Sequence, residues 1–242
     1  MTPRSRTARA TGIALGGLAV AAAAAAVGTL TAFRASAEER RRTMPGDAIV
    51  PDPMYVTTQA VTIGAPPERV WPWLAQLGAG RAGWYSCGRI DNGGRPSAET
   101  ILPEYQHVAP GDVFPATPGA TDAFVVAAAE SPRNLILTVP AAASILMSWE
   151  FLLDPLDQGR TRLIVRARVS WGWRAMAAAA PTAARAEPIF IERVYGVLAR
   201  LPAPLLLATG GFGHRVMQNQ QLRGIKRRAE AAERRAGSGN GD

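Results

Sequence analysis

Between residues 112 and 171, five short apolar runs alternate with turn signals, and no other feature limits the possible folds of this chain as much. The runs occupy 112–115, 123–130, 134–139, 145–153 and 161–171. Pro118-Gly119, Ser131-Pro132, Pro140 and the segment 154–159 divide them. Short strands at such spacing predict an antiparallel meander. The stretch 135–153 is apolar enough to suggest a membrane span, but Pro140 and Glu150 inside it favour two strands of a sheet.

The flanks give the meander its partners. Residues 55–63 are rich in β-branched side chains, with Val61 and Ile63 on either side of Thr62, and predict a half-buried strand. Gly64-Ala65-Pro66-Pro67 ends that strand and opens a helix, proline being well placed in a first helical turn. Val70, Trp73 or Leu74, and Leu77 recur at helical spacing, and Gly78 is a natural end cap. Pro72 removes one internal hydrogen bond, so a bend is expected there. A long glycine-rich loop follows over 78–97, then a brief helical turn over 98–102 closed by Pro103. Residues 172–203 read as helices interrupted by Pro202 and Pro204, with Ile189, Val194, Val197, Leu198 and Leu201 as one apolar face. That face fits core packing better than a membrane surface, since Glu192 and Arg193 make a poor basic side. Gly210-Gly211-Phe212-Gly213 is expected to break the chain before a last helix over 214–235. The apolar stripe of that helix is Leu222, Ile225, Ala229 and Ala232, and a frayed tail over 236–242 ends the chain.

Charge is distributed unevenly. Residues 1–42 hold seven arginines against Glu38 and Glu39, and residues 223–242 hold six basic groups against three acidic ones. The body between them has fourteen of each sign. A nucleic-acid binder carries its basic patch on the folded face, so tails of this kind argue against nucleic acid and for anionic lipid headgroups or solvated helix surface.

One of those tails flanks residues 11–33, which contain no charged side chain. About 20 residues cross a bilayer core, so the run is long enough to serve as a single-pass transmembrane helix. A second reading is a secretory signal with Ala35-Ser36-Ala37 as its cleavage site; Arg34 and the length of the run count against it. Arg4, Arg6 and Arg9 on one side and Arg34 and residues 40–42 on the other leave the orientation open. The expected location is the cell membrane, with residues 1–10 as a basic tail and 34–54 as a juxtamembrane arm.

The segments PGDAIVPDP, VTTQAVTIGAPPERVWPWLAQLG, GWYS, ILPEYQHVAPGDVFP, SWEFLLDPLDQGRTRLIVRARV and LRGIKRRAE resemble bacterial members of the SRPBCC superfamily. That superfamily includes START lipid-binding domains and polyketide cyclase/dehydratase-like proteins. The resemblance covers roughly residues 43–171 and 212–231. Residues 172–203 and Cys87-Gly88-Arg89 depart from it. It implies an α+β helix-grip fold over 55–235: a curved antiparallel sheet wrapped around the long C-terminal helix, with a cavity between them. It implies no reaction, since carriers, cyclases and proteins without chemistry share the fold.

Candidate site residues follow from residue type and place. Trp84 and Tyr85, in the glycine-rich loop, are candidate pocket-mouth contacts, and Trp73 and Trp149 are candidate core or ligand-facing rings. Glu104, Tyr105 and His107 bring an acid, a phenol and an imidazole together, the groups an acid–base enzyme of the cyclase type would use. The histidines are His107 and His214, and no cysteine cluster joins Cys87, so no metal is expected. No glycine pattern has phosphate-binding spacing, so no cofactor is expected either. The partner expected on these grounds is a lipid or other apolar small molecule; a cyclase-like enzyme and a non-catalytic interaction scaffold are the alternatives.

Overall fold

Strands that alternate apolar and polar side chains bury one face, and strands apolar on both sides must be covered twice. Both cases occur here. The computed structural model of the chain describes residues 33–118, 123–141, 144–179 and 196–238. The candidate membrane run lies outside them except for Phe33, and among the described residues no helix is long and apolar enough to cross a membrane.

Six strands form one antiparallel sheet: β1 (Pro53–Ile63), β2 (Val113–Pro115), β3 (Ala123–Glu130), β4 (Asn134–Ala141), β5 (Ser144–Leu156) and β6 (Arg160–Ser170). Their order across the sheet is β1-β6-β5-β4-β3-β2, so the meander is consecutive and β1 closes on its last strand. Pro140 falls at a register shift in the β4–β5 pair, where a missing N–H is tolerated. The helices are α1 (Ala37–Arg41), α2 (Pro67–Ala75), α3 (Gly88–Asp91), α4 (Gly172–Ala179) and α5 (Ala203–Ser238).

Inward side chains from all six strands join α2 and α5 in a single core. Val61, Leu163, Phe151, Leu137, Val126 and Phe114 represent the strands in sheet order, and Leu222, Ile225 and Ala229 represent α5. The sheet is curved, and α5 packs along it with its closest approach to β1. The helix-grip expectation holds for this part of the chain.

Hydrogen bonds fix the position of α5 along β1. Tyr55 bonds to the Gly211 carbonyl, Gln59 to Asn219, Lys226 to the Thr62 carbonyl, and the Gly64 amide to Glu230. From Tyr55 to Gly64 a strand advances about 30 Å, and from Gly211 to Glu230 a helix advances about 28 Å. Strand and helix therefore run side by side in the same direction.

The structure departs from the sequence-based expectation in several places. The final helix begins at Ala203 and continues through Gly210-Gly211-Phe212-Gly213 without the expected break, and it extends past 235 to Ser238. Pro204 sits in its first turn, where proline costs nothing. At Gly211 a Cβ would lie 3.0 Å from the Tyr55 ring, so glycine there permits close helix–strand contact. The turn expected over 98–102 forms instead as a 3-10 turn at Pro103–Tyr105, and α2 ends at Ala75, ahead of Gly78. Of the apolar face proposed for 172–203, Ile189 and Val194 lie outside the described residues, and Val197 is exposed.

Residues 34–54 lie across the outer face of the sheet. Ala35 and Met44 pack with Ala60, Leu152 and Ile164 as a second small core. Beside it Arg166, nearly buried, donates to the Glu39, Arg40 and Arg42 carbonyls and to the Asp47 carboxylate. Arg162 pairs with Glu39, and Arg168 reaches Asp47 and the Val50 carbonyl. This covering explains why β5 and β6 bury side chains on both faces.

Candidate functional site

Gln76, fully buried, caps the end of α2, and its amide organises the loop that follows. It donates to the Tyr85 hydroxyl at 2.7 Å and to the Thr100 carbonyl at 3.1 Å, and its carbonyl accepts from the Leu102 amide at 2.8 Å. The loop is thereby anchored over one end of the sheet, and its Trp84 turns inward. Trp84 donates its indole N–H to the Ala116 carbonyl at 2.8 Å. Trp149, inward on β5, donates to the Gln218 side-chain carbonyl at 3.0 Å. With both N–H groups satisfied, the two indoles stack at 5.4 Å and 28°, and Phe124 lies 5.2 Å from each.

Beside these rings is a cavity of about 180 Å³. Its walls add Met147 and Val139 from the sheet, Ile90 from α3 and Met217 from α5. The lining is mostly apolar, with a few polar groups at definite places. Asp91 is 4% exposed and neither carboxyl oxygen has a hydrogen-bond partner. Burial pushes this carboxyl above the usual range; the nearby Ser86 hydroxyl and the Asp91 and Cys87 amides pull it partly back without reaching it in bonding geometry. The Thr117 hydroxyl and His214 Nε2 are likewise buried and unpartnered. Burial, with Arg215 nearby, lowers the His214 pKa from 6.5 to about 4, so the imidazole is neutral near pH 7. Among the described residues the cavity lining contains no lysine or arginine.

The expected site residues separate into three groups. Trp84 and Trp149 line the cavity. Trp73 and Tyr85 do not: Trp73 is 1% exposed within the core, and Tyr85 turns away under the Arg228 guanidinium, which lies 4.6 Å from its ring centre. Burial raises the Tyr85 phenol above its ordinary value. Glu104, Tyr105 and His107 lie on and after the 3-10 turn and do not line the cavity; Glu104 and His107 are exposed, and Arg81 covers the Tyr105 ring at 4.4 Å.

Asp91, Thr117, His214 and Gln218 were not singled out from sequence. A usable signal existed for two of them. His214, Gln218 and Gln221 follow at spacings of four and three, continuing the stripe of Leu222 and Ile225 toward the start of α5. Polar residues on the buried stripe of a helix mark a place where the core opens. Asp91 ends the four-residue helix α3 and Thr117 sits in a loop, and no periodicity identifies either.

No family model matches the chain, and no curated protein matches it. Solved structures similar to it include polyketide cyclase-like proteins, the type the sequence resembles. One is a polyketide-cyclase-like protein of Corynebacterium glutamicum, 17% identical, covering 73% of this chain and 94% of its own, with a TM-score of 0.36. Another is an HSP90 activator of Plasmodium falciparum, 11% identical over 64% of this chain and 96% of its own, with a TM-score of 0.33. A third is the di-domain aromatase/cyclase BexL of the BE-7585A biosynthetic pathway, 12% identical, covering 76% of this chain and 52% of its own, with a TM-score of 0.36.

Proposed function

We propose that this chain binds a small apolar molecule in the cavity between the sheet and α5, without performing chemistry on it, and that residues 11–33 tether the domain to a membrane. The observation that supports this reading is the cavity itself: about 180 Å³, walled by Trp84, Phe124 and Trp149, with three unpartnered polar groups at its edge. An apolar cavity of about 150 Å³ is enough to admit benzene, whereas pockets for drug-sized ligands start at roughly 300 Å³. The volume therefore suits one ring system or a short chain, and it is too small for a whole phospholipid. Indoles whose N–H groups are already bonded present the ligand with apolar surface only, and orientation falls to the polar groups at the edge.

The test is native mass spectrometry of the full chain released from mild detergent. A co-purified molecule of ring size, lost when Met147→Trp fills the cavity, is the expected result. A spectrum of the bare chain alone, together with no saturable uptake of added aromatic molecules, would count against the reading.

A further inference from the structure

A carboxyl group enclosed by protein is costly unless something pairs with it. No cationic group pairs with Asp91 within the described chain; only the Ser86 hydroxyl and the Asp91 and Cys87 amides stand near it. It is almost fully buried on α3, both its oxygens lack hydrogen bonds, and it lines the same cavity as Trp84, Phe124 and Trp149. The described lining offers no guanidinium or ammonium, and the one imidazole present, His214, is neutral near pH 7. Aromatic walls with a single carboxyl among them form the surface that recognises an organic cation, since ring faces attract positive charge and the carboxylate neutralises it.

We infer that the cavity's ligand carries a protonated or quaternary amine on a small apolar body, with the Asp91 carboxylate as its counter-ion. This rests on the ligand-site reading above and narrows its chemistry. The neutral His214 and the Thr117 hydroxyl then serve as hydrogen-bonding neighbours for a substituent or for a second N–H of the amine. Apolar rings alone would accept a neutral molecule equally well; the unpaired carboxyl is what separates the two classes of ligand.

Two probes of matched size test the inference: benzylamine, protonated at neutral pH, and benzyl alcohol. Each is titrated into the full chain in non-ionic detergent, with tryptophan emission as the readout. Benzylamine should bind at least about tenfold more tightly than the alcohol. In Asp91→Asn, benzylamine affinity should fall about tenfold while that of benzyl alcohol stays within about twofold. The wild-type comparison needs no variant, so a misfolded Asp91→Asn leaves the inference testable. Equal affinity for the two probes, or an Asp91→Asn chain that keeps the amine preference, overturns the inference and leaves the ligand site standing. No saturable response to either probe overturns both.

Discussion

Gly224 and Tyr85 meet so closely that a Cβ built on the glycine would stand 2.4 Å from the tyrosine carbonyl oxygen. Tyr85 has a φ of 58°, a left-handed conformation rare for a bulky side chain, and α5 passes directly beneath it. The loop that aims Trp84 at the cavity therefore rests on a bare stretch of helix. Gly224→Ala should lower stability by about 2 kcal/mol or more through overpacking. Gly213→Ala, on the same helix with open space around it, should be neutral or stabilising by up to about 1 kcal/mol. Urea unfolding of the two variants checks the contrast; equal effects would mean that the close approach has no energetic weight.

Arg166 holds the segment 34–54 against the outer face of the sheet by four bonds to that segment. Arg166→Ala leaves the Asp47 carboxylate and three carbonyls without this partner, and a loss of about 3–5 kcal/mol is expected. Trypsin should then cut residues 40–42 well before the sheet unfolds. Unchanged protease resistance would show that the small core around Met44 suffices.

Much of the fold was legible because the signals were local. Ser131-Pro132 and Asp154–Gly159 punctuated β3 to β6 within a few residues of their observed ends, and the stripe of Leu222, Ile225 and Ala229 marked the buried face of α5. Where reading failed, tertiary contact had overridden local propensity. Gly210 to Gly213 look like a breaker, yet the contact between Gly211 and Tyr55 keeps the helix running. The site was half legible for the same reason. Trp84 stood out as a large ring among glycines, and Trp149 as one of few in a strand, but Asp91 becomes notable only when no partner surrounds it in space. Glu104, Tyr105 and His107 were neighbours in sequence, and sequence adjacency on a surface turn is not convergence on a cavity.

His214 makes a definite pH prediction. Its pKa is about 4 when folded, against an ordinary 6.5, because burial and Arg215 disfavour the charged ring. The unfolded chain takes up a proton at this position well before the folded chain does, so acid favours unfolding. Stability present above about pH 6.5 should fall as the pH drops toward 4, with up to roughly 3 kcal/mol attributable to this residue. In His214→Gln the decline over that window should be shallower. Melting temperatures measured across it for both proteins decide the point, and parallel curves would remove His214 from the account.

The most direct test of the ligand cavity uses its own methionines. Met147 and Met217 line it, while Met44 is buried in the separate core on the outer face. With methyl-labelled methionine in the full chain, benzene-class aromatics should shift the Met147 and Met217 methyl resonances saturably and leave Met44 in place. Resonances that all move together without saturating, or a shift confined to Met44, would contradict a binding cavity between the sheet and α5.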